Sequence, residues 1–306
     1  MSISDAAVRS LDTSAWGAVR FAGADARAFL QGQLSNDLLA LTPETSLLAA
    51  LNTPQGRVVA LLRLIERADG ICGLLPASMV ATVIERLRKY VLRSKVTLEP
   101  SPLEVLPLVG IARSEVRALF DGAAGDAIHH PAANASALHL AGPTTRTLLV
   151  GETQELRTLL ARAGLEPASW NDWRLAQIEA GEPQIYPQTS EHFVAQMLNL
   201  DLVGGLSFNK GCYTGQEIIV RTQHLGRIKR RMVRARHTGS AVSPGEKLYE
   251  GEVSAGEVVD VARRADGTTE LLAVVSLTHA PGAVHLAGCG PLTEMALPYL
   301  LAKPTA

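Results

Sequence analysis

The sequence predicts an α+β protein that ends in an all-β module, and three observations support this prediction. Strand-like apolar runs alternate with amphipathic helical segments over the first 230 residues, which is the pattern of an α+β body. Past residue 231, short apolar runs alternate with turns, among them the hairpin signal Asp266-Gly267. No run of about 18 apolar residues occurs, so we expect no membrane-spanning helix and no membrane partner.

The N-terminal elements follow from hydrophobic spacing and turn residues. Four apolar runs predict strands, at residues 16–22, 47–51, 57–65 and 71–75. A turn that contains Pro and Gly joins the second and third of these runs at residues 52–56. Asp25 is expected to cap the helix after the first strand, because its carboxylate can accept hydrogen bonds from free backbone N–H groups. A second helix is predicted from about residue 76 by its helical spacing of apolar residues.

Two helices and one strand are predicted in the second half of the body. One helix begins at Thr153 and ends at Gly164. The next spans residues 170–180, with Ser169 as its N-cap. The run Ile218-Ile219-Val220 predicts a strand. The all-β module is expected to contain strands at residues 232–237, 257–261 and 271–277.

Composition excludes several classes of protein. The 306-residue chain is 47% hydrophobic and 19% charged, which is ordinary for a globular protein with a substantial core. Its formal net charge of −1 gives no general attraction to nucleic acid. Its three cysteines, Cys72, Cys212 and Cys289, are far apart, and no Cys-x-x-Cys occurs, so neither a disulfide framework nor a self-contained metal site is expected. This usage suits a reducing cytoplasm, and the polar N-terminus does not resemble a secretory signal.

One stretch carries most of the chemical signal: residues 210–217, Lys-Gly-Cys-Tyr-Thr-Gly-Gln-Glu, which we name the cysteine octet. Cys212 lies two residues after Lys210, and a nearby ammonium group favours the reactive thiolate. The two glycines permit unusual backbone angles and close approach by another group. A buried cysteine in a glycine-bounded turn is the alternative interpretation, since cysteine is among the most buried residue types.

The cysteine octet closely resembles the signature of the YgfZ family. These are folate-binding accessory proteins of iron–sulfur cluster assembly, related in fold to the glycine-cleavage T-protein. Two further stretches are similar to the same family: residues 29–37, where Gln-Gly-Gln is followed by an acidic residue, and residues 173–181, which begin with a tryptophan. The resemblance covers most of the chain and is strongest at residues 16–37 and 170–231.

The resemblance implies a fold and a domain organisation. The fold is a T-protein-like folate-binding body of two α/β subdomains, followed by a C-terminal antiparallel β-barrel. We expect the body to span residues 1–230, with one subdomain inserted at about 48–135, and the barrel to span residues 231–306. We expect the protein to be a monomer.

The resemblance also implies a site. Cys212, assisted by Lys210, would be the reactive or metal-facing thiol. Tryptophans at the family positions of Trp16 and Trp173 are associated with folate, and an indole face can stack on a pterin ring. Glu179 would pair with the donor edge of the pterin. Four more residues complete the expected folate site: Tyr213, Gln216, Glu217 and Arg221. The alternative is a core position for both tryptophans and a solvated helix surface for the glutamate.

The implied function is that of a folate-binding accessory factor for the assembly or repair of iron–sulfur clusters in client enzymes. Its ligand would be tetrahydrofolate or a folate derivative, and its partners would be client enzymes or cluster carriers, with tRNA modification affected indirectly. One cysteine cannot hold a cluster that ordinarily takes four thiolates, so contact with a cluster would be transient. No resident metal is expected.

Two alternatives stay open. A T-protein-like aminomethyltransferase would need a pair of acidic residues after the turn at 52–56, where this sequence has Val59 and Ala60 and so lacks that general acid–base help. Direct binding of nucleic acid is suggested by a basic cluster at Arg221, Arg227, Lys229, Arg230 and Arg231. Because phosphate binding normally needs a wider positive field, we interpret the cluster as the rim of the folate cavity or a docking face for a partner.

Overall fold

The chain folds around three antiparallel β-sheets. The computed structural model describes residues 16–120, 125–130, 134–224, 228–239, 241–280, 282–288 and 290–301. Arg227 and Cys289 therefore lie outside the described residues. Within the described ranges, no helix combines the length and the apolar character needed to traverse a bilayer.

The first sheet is built from the N-terminal hundred residues. Its strands are β1 (Trp16–Ala22), β2 (Ser46–Asn52), β3 (Val58–Arg67), β4 (Gly70–Pro76) and β5 (Thr97–Pro100), in the order β2-β3-β4-β1-β5. Two helices follow from the same region, α1 (Ala26–Gln33) and α2 (Val80–Arg88). The four strands predicted here are confirmed. Asp25 precedes α1 as predicted, but its carboxylate accepts the backbone N–H of Lys95 at 2.6 Å rather than a helix N–H.

The second sheet lies in the middle of the chain. Its strands are β6 (Glu104–Val109), β7 (Ala127–His130), β8 (Ala135–Leu140) and β9 (Arg146–Gly151), in the order β6-β9-β8-β7. The helices of this region are α3 (Arg113–Leu119), α4 (Thr153–Ala163) and α5 (Trp170–Glu179). Two predicted helix ends are confirmed: Gly164 follows α4 with a left-handed backbone, and the hydroxyl of Ser169 accepts the N–H of Asp172 at 3.1 Å.

The third sheet is C-terminal and curls into a half-barrel. It follows α6 (Gln216–His224), and its strands are β10 (Arg230–His237), β11 (Lys247–Glu250), β12 (Val253–Arg263), β13 (Thr269–Ser276), β14 (Val284–Leu286) and β15 (Thr293–Met295), in the order β14-β11-β12-β13-β10-β15. The predicted strand at residues 218–220 is wrong, because these residues lie within α6. The predicted hairpin at Asp266-Gly267 joins β12 to β13.

Two apolar clusters hold the sheets together. The main core joins the first sheet and α1 to the long segment before the octet, and five side chains of the third sheet enter it: Met232, Val259, Ala262, Leu272 and Val274. A second cluster lies between the first and second sheets and contains the three tryptophans. The expected boundaries at residues 48, 135 and 230 stay predictions, whereas the α+β architecture with an antiparallel C-terminal sheet is confirmed.

Candidate functional site

The cysteine octet packs against the C-terminal end of α1, and Lys210 makes the central contact. Its Nζ donates to the backbone carbonyls of Leu34 and Asn36, both at 2.7 Å. The segment before the octet is tied to the same place, because the hydroxyl of Ser35 donates to the carbonyl of Gly205 at 2.7 Å. Lys210 therefore fastens the octet to residues near the beginning of the chain.

Steric fit fixes the turn of the octet at Gly215. Gly215 has φ of +82°, and an added Cβ would lie 2.5 Å from the carbonyl oxygen of Thr53. Across this contact, Gly56 has φ of +72°, and its added Cβ would lie 2.9 Å from the Cβ of Ile218. Gly211 differs, because an added Cβ there would meet nothing within 4 Å. Of the two octet glycines, only Gly215 is required by geometry.

Two side chains after the cysteine are buried in the main core. Tyr213 is 6% exposed and Ile219 is fully buried. The ammonium of Lys210 lies 5.1 Å from the centroid of the Tyr213 ring, a cation–π distance. Burial also raises the pKa of Tyr213 to about 12. These contacts anchor the octet on both sides of its thiol.

Cys212 itself is exposed, in contrast to its anchored neighbours. Glu217 and Arg221, which lie four residues apart on α6 and so share one of its faces, are exposed as well. Gln216 is partly buried, and its side-chain oxygen accepts the backbone N–H of Tyr213 at 3.3 Å. The structure thus presents a solvent-facing sulfur on a turn whose backbone is held in place.

Lys210 has unusual acid–base character for a lysine. Burial lowers its pKa to about 8, and the carboxylate of Asp37 opposes this change. A substantial fraction of Lys210 is therefore uncharged at mildly alkaline pH. Because its hydrogen bonds go to two backbone carbonyls, the contacts of Lys210 position the octet. The expected assistance of Lys210 to the Cys212 thiol stays a prediction.

Trp16 and Trp173 do come together, but inside the protein. The rings of Trp16 and Trp170 stack with centroids 6.0 Å apart and planes within 6°. Trp173 meets both edge-on, at 6.0 and 6.3 Å. Trp173 is fully buried, and its Nε1 donates to the side-chain oxygen of Gln177 at 3.1 Å. This is the arrangement of a packed core, with the indoles facing protein groups.

Glu179 lies at a cavity. One carboxylate oxygen accepts the hydroxyl of Thr144 at 3.1 Å, and the other accepts from Arg264 at 3.2 Å, with Arg234 at 3.7 Å. The side chain is 21% exposed and lines a cavity of about 310 Å³. Apolar walls of this cavity are formed by Val109, Leu175 and Ala176. Glu179 can therefore receive a hydrogen-bond donor from a ligand in this cavity.

One residue of the predicted basic cluster, Arg231, is buried rather than exposed. Arg221, Lys229 and Arg230 are exposed. Arg231 is only 5% exposed and forms a two-pronged ion pair with Asp201, at 2.6 and 2.9 Å. The buried arginine is part of the core structure, so the positive surface is smaller than the sequence suggested.

Sequence reasoning missed a buried charged triad of Arg63, Arg146 and Glu182. Glu182 accepts from Arg63 at 2.7 Å and from Arg146 at 3.2 Å. Although burial acts to raise it, these two guanidinium groups lower the pKa of Glu182 to about 2. The three residues come from separate segments, and no local pattern marks them.

The expected site residues therefore occupy separate places. Tyr213 packs in the main core, whereas Trp16 and Trp173 pack in the second cluster. No hydrogen bond or ring contact links the octet to the tryptophans or to Glu179 among the described residues. Within the same part of the chain, no three His, Cys, Asp or Glu side chains converge in a way that could hold a metal ion.

Comparison with known structures assigns the fold. The aminomethyltransferase T of the glycine cleavage system from Bartonella henselae superposes with a TM-score of 0.74, over 94% of this chain and 85% of that protein, at 15% sequence identity. The chain therefore adopts a T-protein-like fold, as predicted, and carries an exposed cysteine on an anchored turn.

Comparison with sequences assigns the family. No family model matches this sequence. The tRNA-modifying protein YgfZ of Yersinia pestis is 32% identical over 304 residues, which cover 94% of this chain and 91% of that protein. The protein of the same name from Yersinia enterocolitica is 31% identical over 274 residues, covering 85% and 82%. The chain belongs to the YgfZ family.

Proposed function

We propose that the protein is an accessory factor for the assembly or repair of iron–sulfur clusters in client enzymes, with Cys212 as its working thiol. The observation that carries this proposal is the contrast within the octet. The neighbours of Cys212 are held by the rest of the protein: Lys210 through hydrogen bonds, Tyr213 through burial and Gly215 through close backbone packing. Cys212 between them is exposed to solvent. A thiol in this position is accessible to a cluster that a client enzyme or a cluster carrier presents.

The chemistry available to one thiol fits a transfer or repair role. A thiolate is a strong ligand for iron, but an iron–sulfur cluster ordinarily takes four such ligands. Cys212 would supply one ligand, and a client enzyme or cluster carrier would supply the others, so the cluster is cargo. The relatives are named for tRNA modification. In our proposal this connection is indirect, since enzymes that methylthiolate tRNA contain iron–sulfur clusters.

We also propose that the protein binds a tetrahydrofolate-type ligand through Glu179. Tetrahydrofolate, when bound, supplies one-carbon carrier chemistry. The indoles of Trp16 and Trp173 do not fit as a pterin stack, because they pack edge-on against each other and Trp16 stacks on Trp170 in the core. Glu179 fits better, since its carboxylate lies at a partly apolar cavity and can accept the amino and N–H donors of a pterin edge. The two indoles of α5, Trp170 and Trp173, would report binding nearby.

Replacing the thiol tests the proposed role. Cys212→Ser should leave folding intact, because the side chain is exposed, and should lower the activity of iron–sulfur enzymes in cells that depend on this protein. Gly211→Ala is the matched control, since it changes the adjacent residue in open space and keeps the sulfur. Normal iron–sulfur enzyme activity with Cys212→Ser would remove Cys212 from the mechanism.

Ligand binding is tested separately by tryptophan fluorescence. Tetrahydrofolate should quench the emission of the wild-type protein, and Glu179→Gln should weaken binding by about tenfold, the loss of one charge-assisted hydrogen bond. Arg234 and Arg264 keep Glu270 as a partner in this variant, so the fold should persist. Glu166→Gln, at an exposed position elsewhere, is the control. Equal affinity of both variants would exclude Glu179, and no quenching of the wild type would exclude folate.

The T-protein-like fold makes aminomethyltransferase activity a second candidate function. Val59 and Ala60 occupy the positions expected for the acidic pair, and both are buried with 0% and 1% exposure. An apolar, enclosed pair cannot exchange a proton with a substrate amine. Release of a one-carbon unit from an aminomethyl donor by the purified protein would favour this candidate over the accessory role.

A further inference from the structure

The second sheet contains a cavity that the proposed function does not use. It has a volume of about 230 Å³ and is formed where β8 turns into β9. Its polar side chains are Arg113, Asp126, His139, Thr145 and Arg146. Two of these residues, Arg146 and His139, carry buried nitrogen atoms that have no partner among the described residues, as expected where a ligand binds.

Arg146 is the most unusual of the lining residues, because its guanidinium is buried but only partly bonded. Its exposure is 1%, and Nη2 donates to the carbonyl of Ala141 at 2.8 Å and to Glu182 at 3.2 Å. Its Nε and Nη1 are buried and have no hydrogen-bond partner among the described residues. The guanidinium lies 5.7 Å from the centroid of the Trp173 ring, which supports it from one side. Leaving buried N–H donors unpaired is costly, and an acceptor from a ligand would remove that cost.

His139 adds a second unpaired nitrogen to the cavity. Its Nδ1 lies 2.8 Å from the hydroxyl of Thr147, and its Nε2 is buried without a partner in the described part of the chain. If the hydroxyl donates to Nδ1, then Nε2 carries the hydrogen and is a further donor. Burial, together with Arg113 and Arg117, lowers the pKa of His139 to about 4, against the opposing effect of Asp126. The ring is therefore neutral near pH 7.

The balance of charge at the cavity is positive. Arg113 is paired with Asp126 at 2.6 Å, so these two charges offset each other. Arg146 shares the single carboxylate of Glu182 with Arg63, so these three residues together carry a net charge of +1 in the described part of the chain. A bound anion would neutralise that charge in a buried setting, where pairing matters most.

We propose that this cavity binds the carboxylate or phosphate group of a small anionic ligand, with Arg146 as the principal recognition residue. Arg146 and His139 both line the cavity, and the unpaired Nε and Nη1 donors of the Arg146 guanidinium are the groups with which an oxyanion would pair. The volume suits one small anionic group. The inference stands independently of the role of Cys212 and of the Glu179 cavity.

Calorimetric titration of the full chain with inorganic phosphate and with glutarate tests the proposal and distinguishes a phosphate ligand from a carboxylate ligand. Saturable one-to-one binding of either anion is expected for the wild type. Arg146→Lys keeps the charge but removes the two free donors, and should weaken that binding by about tenfold or more. Binding of neither anion by the wild type overturns the proposal.

A second variant keeps the test decisive if Arg146→Lys fails to fold. Thr145 is exposed at the cavity, so Thr145→Trp should obstruct the cavity without disturbing the core and should abolish binding. Thr158→Trp, at an exposed position on α4, is the matched control and should bind like the wild type. Unchanged affinity in Thr145→Trp would show that the anion binds elsewhere and would refute the proposal.

Discussion

Gly215→Ala should destabilise the protein strongly, although it adds only one methyl group. The residue has φ of +82°, a backbone conformation that costs an L-residue about 1–2 kcal/mol. The new Cβ would also lie 2.5 Å from the carbonyl oxygen of Thr53 and 3.0 Å from the Cα of Gly56. Both neighbours are backbone atoms, so neither can move aside as a flexible side chain would. We therefore expect a loss of at least about 2 kcal/mol in the free energy of unfolding.

Gly211→Ala is the matched control for this prediction, four residues earlier in the same octet. Its added Cβ meets nothing within 4 Å, so the free energy of unfolding should change by less than about 0.5 kcal/mol. Urea denaturation followed by circular dichroism measures both variants. Equal stability of the two alanine variants would refute the claim that the octet is docked through Gly215 on the turn between β2 and β3.

Three further predictions follow from burial and charge. Trp173→Ala should cost about 3–5 kcal/mol in unfolding free energy, because the indole is fully buried, and a loss below about 1 kcal/mol would contradict its core position. Asp201→Asn should lower the free energy of unfolding by about 3–5 kcal/mol, because it leaves buried Arg231 without its counter-charge. The control Glu99→Gln, in an exposed ion pair, should lower it by at most about 1 kcal/mol. Similar losses for the two variants in urea titrations would contradict this prediction. The pKa of Lys210 is lowered from 10.5 to about 8 in the folded protein, so between about pH 8 and 10 the unfolded chain binds more protons at this residue than the folded protein does. The free energy of unfolding should therefore increase with pH over this range. Lys210→Met should remove this increase. Parallel pH–stability curves for the wild type and Lys210→Met would show that Lys210 does not cause it.

Local sequence signals predicted elements well where short-range contacts decide them. The cap at Ser169 and the left-handed glycine at Gly164 depend on neighbouring residues, and both are present. The prediction of a strand at residues 218–220 was wrong because it rested on the strand preference of β-branched side chains. In the fold, Ile218 lies against the turn at Gly56 and Ile219 fills the main core, so packing determines that this segment is helical.

The candidate site was predictable in composition but not in geometry. The octet was identifiable from its residues, yet the acceptors of Lys210 are backbone carbonyls 174 and 176 residues earlier in the chain, which carry no sequence signal. Trp16 and Trp173 were expected to hold a pterin, and a sequence cannot show that a third indole, Trp170, packs against both of them. Two nitrogens of Arg146 have no partner among the residues that the structure describes, and no pattern along the chain reveals this.

The entry of third-sheet side chains into the main core has a consequence for how the protein unfolds. Met232 and Leu272 fill space beside residues of the first sheet, so detaching the C-terminal region would open the interior of the N-terminal one. Heat or denaturant should consequently melt both regions in a single cooperative step. Any strain imposed on the half-barrel, for instance by a docking enzyme, would reach the interior of the N-terminal region through Met232 and Leu272.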